Sequence, residues 1–454
     1  MEIEEEFNGN KSAGKSRQLL AAILASMYTL TVTLVMILLV STYDHLGALM
    51  RPHTSQWFLV ITPLAIIVGF PIAHFCCECY GRKVSLCLSA IPLTFCCMLI
   101  SFGENSLLLL LAFILGGIGS TLCLHTVPIY VSEISSNSLR SGLGTIRMIF
   151  TTIGFSAGYL ITDHRVYRDS AFIIMFLPLL LGLGFVFMPE SPIYLYRIAG
   201  IDEATKCLMW LRDNDHQCVH HELFTIQQTV PSMTTGSYFF QNFFLDLGKR
   251  RGFIITCGLF TAQSLWQVAT VLHIRGHMSG AIAQGTLRGA PVTIFLVIQI
   301  IAAVIPSILL YCFRQKILLL ISCVVMSSYF CVYIVIALIR HDSYIPSWIL
   351  LPLAISSIVA YYFGMGTFPS IIAVEVFQRE VLSLGFMLSI AVSWIVLFFM
   401  AGIMTVVVMS ALIAALINVL LSICLFFFIY FFVPETTGKA IESITGGLRK
   451  GFTK

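Results

Sequence analysis

Apolar stretches of about 20 residues recur along the whole 454-residue chain, and they constrain its fold more than any other feature. A helix needs about 20 apolar residues to cross the hydrocarbon core of a bilayer. Hydrophobic residues make up 58% of the chain, charged residues make up 11%, and the mean hydropathy is +0.93. Soluble domains contain about 25% charged residues, so the composition excludes a soluble fold of this length. The sequence predicts an all-α membrane protein.

Twelve stretches are long and apolar enough to be membrane helices, numbered here as spans one to twelve. They cover 18–40, 56–76, 84–102, 106–131, 142–162, 170–189, 252–272, 292–313, 317–339, 347–372, 383–407 and 409–433. The long polar stretch 190–251 has apolar residues at helical spacing, which predicts short amphipathic helices. The predicted organisation is a tail (1–17), a six-helix bundle (18–189), a linker (190–251), a second six-helix bundle (252–433) and a tail (434–454).

The distribution of basic residues predicts that both termini and the linker are cytoplasmic. Of the 26 Lys and Arg residues, only six then fall in outer loops, and Arg147 falls inside span five. The six outer residues are Arg51, Arg165, Arg168, Arg275, Arg288 and Arg340. Lys and Arg accumulate on the cytoplasmic side of membrane proteins, so the reverse orientation is disfavoured.

The two halves of the chain repeat one another. "FMPESPIYL" at 187–195 returns in outline as "FVPETTGKA" at 432–440, each copy directly after an apolar run. "PIYVSEI" at 128–134 is echoed by "PSIIAVEVF" at 369–377. Parallel repeats of this kind form transporters that move around a site near the bilayer midplane, so the repeat predicts a transport function.

Several motifs extend this prediction: "YGRKVSL", "PIYVSEISSNSLRSGLG", "PESPIYL", "FGMGTFP" and "PETTGKAIESI". In this order, at these spans, they resemble the sugar porter family of the major facilitator superfamily, which includes animal glucose transporters and insect trehalose transporters. The resemblance implies the major facilitator fold, with two six-helix pseudo-repeats that alternate between outward-facing and inward-facing states.

The resemblance also implies a cytoplasmic gate, in which ion pairs at the ends of neighbouring spans hold the outward-facing state. The expected gate residues are Arg82, Lys83, Glu133, Arg140, Glu190, Glu375 and Glu435. Ile193, Tyr311 and Leu382 stand where the family has charged partners. We therefore expect a weaker gate and a less stable outward-facing state.

A sugar site needs amide side chains for the hydroxyl groups and aromatic rings for the apolar sugar face. The expected substrate-binding residues are Gln263, Gln267, Gln299, Tyr361 and Trp394. Met148, Ser264, Ala269 and Ser393 replace polar residues that are usual in the family. The site therefore departs from the family pattern, although the fold does not.

Arg147 is a charge within span five, and the sequence leaves two interpretations open. Its side chain can extend to the cytoplasmic interface, as long basic side chains near helix ends do. Alternatively it points into the bundle, where an intramembrane charge marks a functional site. In the second case the solute would carry negative charge or strong acceptors.

The prediction is a facilitative sugar uniporter of the cell membrane, for a hexose or a trehalose-like sugar. Span one contains no carboxylate for proton coupling. No nucleotide-binding or hydrolase motif is present, so the protein is not expected to be an enzyme.

The expected partners are the sugar and the lipid bilayer. We expect no cofactor, no metal, no nucleic acid and no obligate protein partner. Two alternatives remain: a sugar sensor that transports poorly, and a carrier of a non-sugar organic solute.

Overall fold

Helices form all of the regular secondary structure in the part of the chain that the structure describes. A computed structural model describes residues 14–49, 52–164, 167–229, 245–283, 290–310, 312–339, 347–406, 411–439 and 441–450. No strand occurs within these ranges, and the predicted all-α class is confirmed.

The helices of these ranges are numbered α1 to α18 in chain order. They are α1 (Lys15–Leu49), α2 (Pro52–Cys79), α3 (Arg82–Phe102), α4 (Ser106–Ile134), α5 (Arg140–His164), α6 (Tyr167–Ile174), α7 (Phe176–Phe185), α8 (Pro192–Ala199), α9 (Ile201–Leu211), α10 (His216–Thr229), α11 (Leu247–Ala283), α12 (Ala290–Leu309), α13 (Gln315–Ile339), α14 (Ser347–Phe363), α15 (Phe368–Val376), α16 (Leu382–Val406), α17 (Ala411–Phe432) and α18 (Ile441–Lys450).

Nine stretches of the described helices are long and apolar enough to cross a membrane. They coincide with predicted spans one to four, six and nine to twelve. Spans five, seven and eight fall on α5, α11 and α12. The described residues of these three helices contain no apolar stretch of the same length and hydropathy. In α5, the charged Arg147 lies two turns from the start of the helix.

Two hydrophobic cores form, one in each half of the chain. The N-terminal half, residues 14–229, packs around Tyr28, Tyr130 and Phe185. The C-terminal half, residues 245–450, packs around Trp266, Phe330 and Phe368. Apolar side chains prefer each other and the lipid to water, so each half is cohesive by itself.

A smaller apolar cluster connects the halves. Phe70 and Ile129 of the N-terminal half lie in one cluster with Phe260, Phe377 and Phe386 of the C-terminal half. All five side chains are buried. This contact brings α2 and α4 against α11 and α16, which positions the polar residues described below.

The stretch between spans six and seven contains short helices that pack on the end of the N-terminal half. Ala204, Leu208 and Leu211 of α9 are almost completely buried. Leu208 packs with Ile193 of α8 and Val219 of α10. The apolar side of α9 therefore faces protein.

A close approach of two membrane helices in the N-terminal half is made possible by a glycine. A side chain at Gly154 of α5 would lie 2.6 Å from the carbonyl oxygen and 2.9 Å from the Cα of Leu30 in α1. Backbone atoms cannot rotate away as a flexible side chain can. Gly142 of the same helix has no atom within 4 Å of the corresponding position.

We therefore expect Gly154→Ala to destabilise the protein, because α1 and α5 must separate to accept one methyl group. Overpacking of this kind costs about 1–3 kcal/mol. Gly142→Ala is the matched control, and it should leave the apparent Tm unchanged or raise it slightly, since alanine favours the helix. Thermal unfolding of the detergent-solubilised variants measures both; equal Tm values for the two variants would contradict the close-packing argument.

Candidate functional site

Span ten is broken between α14 and α15, at the segment "GMGT" (364–367). A side chain at Gly364 would collide with Ser322, and one at Gly366 would lie 2.8 Å from the ring of Tyr361. The tight turn is closed by a hydrogen bond from the N–H of Gly366 to the carbonyl of Tyr361 (2.7 Å). The break leaves backbone carbonyls free to bind side chains, as in the discontinuous helices of other transporters.

One of these carbonyls binds a predicted site residue. Gln263 of α11 donates from Nε2 to the carbonyl oxygen of Gly366 (3.1 Å), and the N–H of Gly366 donates to the carbonyl of Tyr361. Gln299 of α12 donates to the hydroxyl of Tyr362, and both side chains are buried. The structure thus brings Gln263, Gln299 and Tyr361 together around the broken span, with Tyr362 as a fourth member.

The polar group reaches across to the N-terminal half. Met148 of α5 packs with Tyr362, and Tyr361 packs against the same cluster. At this position, where a polar residue is usual in the family, the chain presents an apolar surface to the C-terminal half.

The remaining predicted binding residues lie apart or outside the description. Trp394 is half-buried and packs on the cluster that connects the halves. The side chain of Gln267 lies outside the residues whose side chains the structure describes. Trp266, on the same helix, is completely buried in the C-terminal core, and its Nε1 has no hydrogen-bond partner among the described residues.

Arg147 points into the bundle. Its Nη2 donates to Ser370 of α15 in the other half (2.6 Å). The guanidinium lines a cavity of about 20 Å³ between the halves, together with Arg140 and Ser132. Of the two interpretations left by the sequence, the geometry supports the inward one.

A buried ion pair dominates one end of the bundle, which we name the charged end after Arg82, Glu133 and Glu190. Arg82 donates from Nε and Nη2 to the two oxygens of Glu133 (2.9 and 3.0 Å). Only 1% of either side chain is exposed. A bidentate guanidinium–carboxylate pair is among the strongest polar contacts in proteins, and it fixes α3 against α4.

Glu78 and Arg197 complete this cluster, and the sequence analysis missed both. Arg82 also donates to Glu78 (3.0 Å), which accepts from Arg197 of α8 (2.8 Å). Ile193, where the family has an arginine, is buried in the apolar packing of α8. Arg197 lies one helical turn later and supplies a cation. The spacing of four residues between Glu78 and Arg82 was a usable signal, because such residues face each other on a helix.

Glu190 binds backbone groups instead of a cationic side chain. It accepts from the N–H groups of Arg82 (2.9 Å), Lys83 (3.1 Å) and Ser191 (2.8 Å). Burial raises the pKa of the Glu190 carboxyl, whereas these N–H groups oppose the shift. The first N–H groups of a helix have no partner within it and favour an anion. Glu190 therefore caps α3 at its start.

The C-terminal half repeats this arrangement without ion pairing. Glu375 accepts from the hydroxyl of Ser141 (2.7 Å) and from Nε2 of Gln315 (3.2 Å). Gln315 begins α13 as Arg82 begins α3, and it also donates to Ser141 (2.8 Å). Arg140 donates to the carbonyl of Ser132 and to Asn137 (2.7 Å), both in its own half. The direct partners of Glu375 are thus neutral, and Ser141 belongs to the other half.

The cap at the start of α13 is also indirect. Thr437 accepts from the N–H of Gln315 (3.1 Å) and donates to Glu435 (2.6 Å). Glu435 therefore holds the helix start through a threonine hydroxyl, whereas Glu190 does so directly. Tyr311, which stands where the family has an acid, lies outside the described residues.

Further hydrogen bonds cross between the halves, and we name them the seam. Ser383 of α16 lies between two histidines of the N-terminal half, 2.8 Å from Nδ1 of His74 and 3.1 Å from Nε2 of His125. Thr145 of α5 is 2.6 Å from Ser307 of α12. All of these contacts join neutral hydroxyls and imidazoles, so the halves meet through short, directional bonds without a buried ion pair.

Comparisons with known proteins agree with this architecture. The family described as "Sugar (and other) transporter" matches residues 11–447. The chain is 27% identical over 344 residues to sugar transporter ERD6-like 6 of Arabidopsis thaliana, covering 74% of this chain and 70% of that protein. It is 25% identical over 409 residues to the facilitated trehalose transporter Tret1 of Bombyx mori, covering 87% and 79%.

A solved structure shares the fold. The proton:xylose symporter XylE bound to 6-bromo-6-deoxy-D-glucose superposes with a TM-score of 0.79 at 16% identity, over 95% of this chain and 99% of that one. The family match, the relatives and the fold agree. The chain belongs to the sugar porter family of the major facilitator superfamily.

Proposed function

We propose that this protein carries a sugar, a hexose or a trehalose-like disaccharide, across the cell membrane by facilitated diffusion. One observation carries the proposal: Gln263, Gln299, Tyr361 and Tyr362 lie together at a broken helix, where Tyr362 packs against Met148 of the other half of the chain. Amide and hydroxyl groups both donate and accept, as sugar hydroxyls require. The trehalose and sugar transporters among the relatives support a sugar as the solute.

The two halves, each with six spans, would rock about this polar group. The charged end would be the cytoplasmic one, in keeping with the positive-inside distribution of Lys and Arg. The seam closes the bundle on that side of the polar group, which fits an outward-facing or occluded state. Opening requires the seam to separate, while Arg82–Glu133 lies within one half and positions α3 and α4.

Uniport is the favoured mode because span one offers no group to carry a proton. The candidate span Lys15–Tyr43 contains no Asp or Glu. Thr29, Thr31 and Thr33 are among its polar residues, and each hydroxyl donates to a backbone carbonyl of its own helix. Threonine hydroxyls do not titrate in the physiological range, so the sugar gradient alone would drive transport.

Uptake of radiolabelled glucose and trehalose into oocytes tests the substrate class. We expect saturable uptake of at least one sugar, reduced about five- to tenfold by Gln263→Ala, since a lost hydrogen bond costs about 1 kcal/mol. Gln227→Ala, an exposed change on α10, is the matched control and should not alter uptake. Absence of uptake of both sugars at normal surface expression would reject the proposal in favour of a sensor.

Membrane current tests the transport mode. Sugar uptake by a uniporter moves no charge, so we expect no sugar-induced inward current under voltage clamp at pH 5.5 or 7.5. A proton symporter would instead give a current that grows as external pH falls. A sugar-dependent current of that kind would overturn the uniport assignment and leave sugar transport intact.

The two halves of the gate should respond differently to the same substitution. Glu133→Gln leaves the buried cation of Arg82 poorly compensated, which costs about 3–5 kcal/mol, so we expect at least about a tenfold loss of uptake. Glu375→Gln retains hydrogen bonds to Ser141 and Gln315 and should keep uptake within about threefold.

The control for this pair is Glu203→Gln, which removes an exposed carboxylate paired with Lys206. Surface ion pairs contribute little, so this variant should behave as wild type. Uptake is compared at equal surface expression. Equal losses for Glu133→Gln and Glu375→Gln would contradict the assignment of an ionic and a neutral half.

A further inference from the structure

Arg147 differs from the other deeply placed arginines in its partners. Arg82 is paired with two carboxylates, and Arg212 is paired with Glu222. Arg147 forms no ion pair with any carboxylate in the described part of the chain, and its guanidinium reaches one neutral hydroxyl, that of Ser370. A guanidinium has five N–H donors, so the hydrogen bond to Ser370 uses only a small part of the donors that Arg147 offers.

A cation without a counter-ion inside a membrane protein is costly and rarely lacks a function. Ser370 alone does not explain its presence, because a glutamine in α5 could donate the same hydrogen bond without the desolvation of a charge. The position of Arg147 instead favours a negatively charged group that binds reversibly.

The cavity beside Arg147 has the properties of a site for such a group. Its lining comes from both halves, with Val127 and Ser132 of α4, Arg140 and Arg147 of α5, and Ser370 and Val374 of α15 among the residues. Both charged side chains in the lining are cationic, and Ser132 and Ser370 add hydroxyls. Arg140 donates to Asn137 (2.7 Å) and to the carbonyl of Ser132, both in its own half, whereas Arg147 reaches Ser370 of the other half.

The cavity lies beside the polar group proposed for the sugar. Met148, the residue after Arg147 on α5, packs in one cluster with Tyr362 and Tyr361, and Gln263 binds the carbonyl of Gly366 next to them. A solute whose hydroxyls contact Gln263 and Tyr361 therefore has an acidic end within reach of Arg147. The volume of about 20 Å³ accepts a group about the size of a water molecule, so it suits the end of a carboxylate better than a phosphate.

We infer that Arg147 and this cavity form a subsite for the carboxylate of a sugar acid, which makes a hexuronate a better substrate than the neutral hexose. A planar carboxylate matches the paired N–H donors of a guanidinium. The inference rests on the proposed function, since it places the acidic group beside the same sugar site. When the solute binds, the guanidinium of Arg147 would donate to the carboxylate as well as to the hydroxyl of Ser370.

Uptake of radiolabelled glucuronate and glucose by the full-length protein in oocytes tests this inference. We expect wild type to take up glucuronate, and Arg147→Gln to lower the glucuronate-to-glucose uptake ratio at least about tenfold. Arg147→Lys should retain part of the ratio because the charge remains. Arg449→Gln, a change at an exposed arginine of α18, is the control and should leave the ratio unchanged.

The outcomes separate this inference from the proposed function. Saturable glucose uptake that glucuronate neither shares nor inhibits would overturn the subsite and leave sugar transport standing. Glucuronate uptake with an unchanged ratio in Arg147→Gln would also overturn it, and no uptake of either compound would reject both. If the variant does not reach the surface, inhibition of wild-type glucose uptake decides: glucuronate should compete better than galactose, and stronger competition by glucose 6-phosphate would contradict the carboxylate assignment.

Discussion

The buried pair between Arg82 and Glu133 is the interaction on which the N-terminal half depends. Two charges at 1% exposure are tolerated because the geometry is bidentate and Arg82 has further acceptors in Glu78 and the carbonyl of Cys77. Through Glu78 and Glu190, the same guanidinium and its backbone also locate α2, α3 and the entry to α8. Four chain segments thus meet at one cation, and the resulting rigidity allows this half to move as a unit.

The contacts between the halves follow the opposite physical principle. Ser141, Ser370 and Ser383 each contribute a neutral hydroxyl to these contacts, so none of the three contacts is an ion pair. Breaking one hydrogen bond changes the free energy by about 1–3 kcal/mol, whereas removing one partner of a buried ion pair costs about 3–5 kcal/mol. Ion pairs inside a half and hydrogen bonds to neutral hydroxyls between halves are what a rocking mechanism needs.

Much of the fold could be predicted from the sequence, because apolar length and the repeated Pro-Glu motif are local signals. The chemistry of individual site residues was less accessible. Gln263 and Gln299 stand out as amides in apolar helices, but the link between His74 and Ser383 joins positions 309 residues apart and leaves no local pattern. Glu78 could have been predicted from its spacing of four residues from Arg82, because residues at this spacing lie on one face of a helix. The direction of Arg147 could not be predicted, since a basic residue two turns from a helix end can extend either way.

Gln315 begins α13 whereas Arg82 begins α3, and this difference has a kinetic consequence for the empty carrier. A uniporter must return without its solute, and an ionic contact across the closed end slows that return more than it slows the loaded transition. Here Glu375 is held by the neutral side chains of Gln315 and Ser141. The empty and loaded forms should therefore reorient at similar rates. Net uptake into a solute-free compartment should then be about as fast as exchange, and solute preloaded on the far side should accelerate uptake very little.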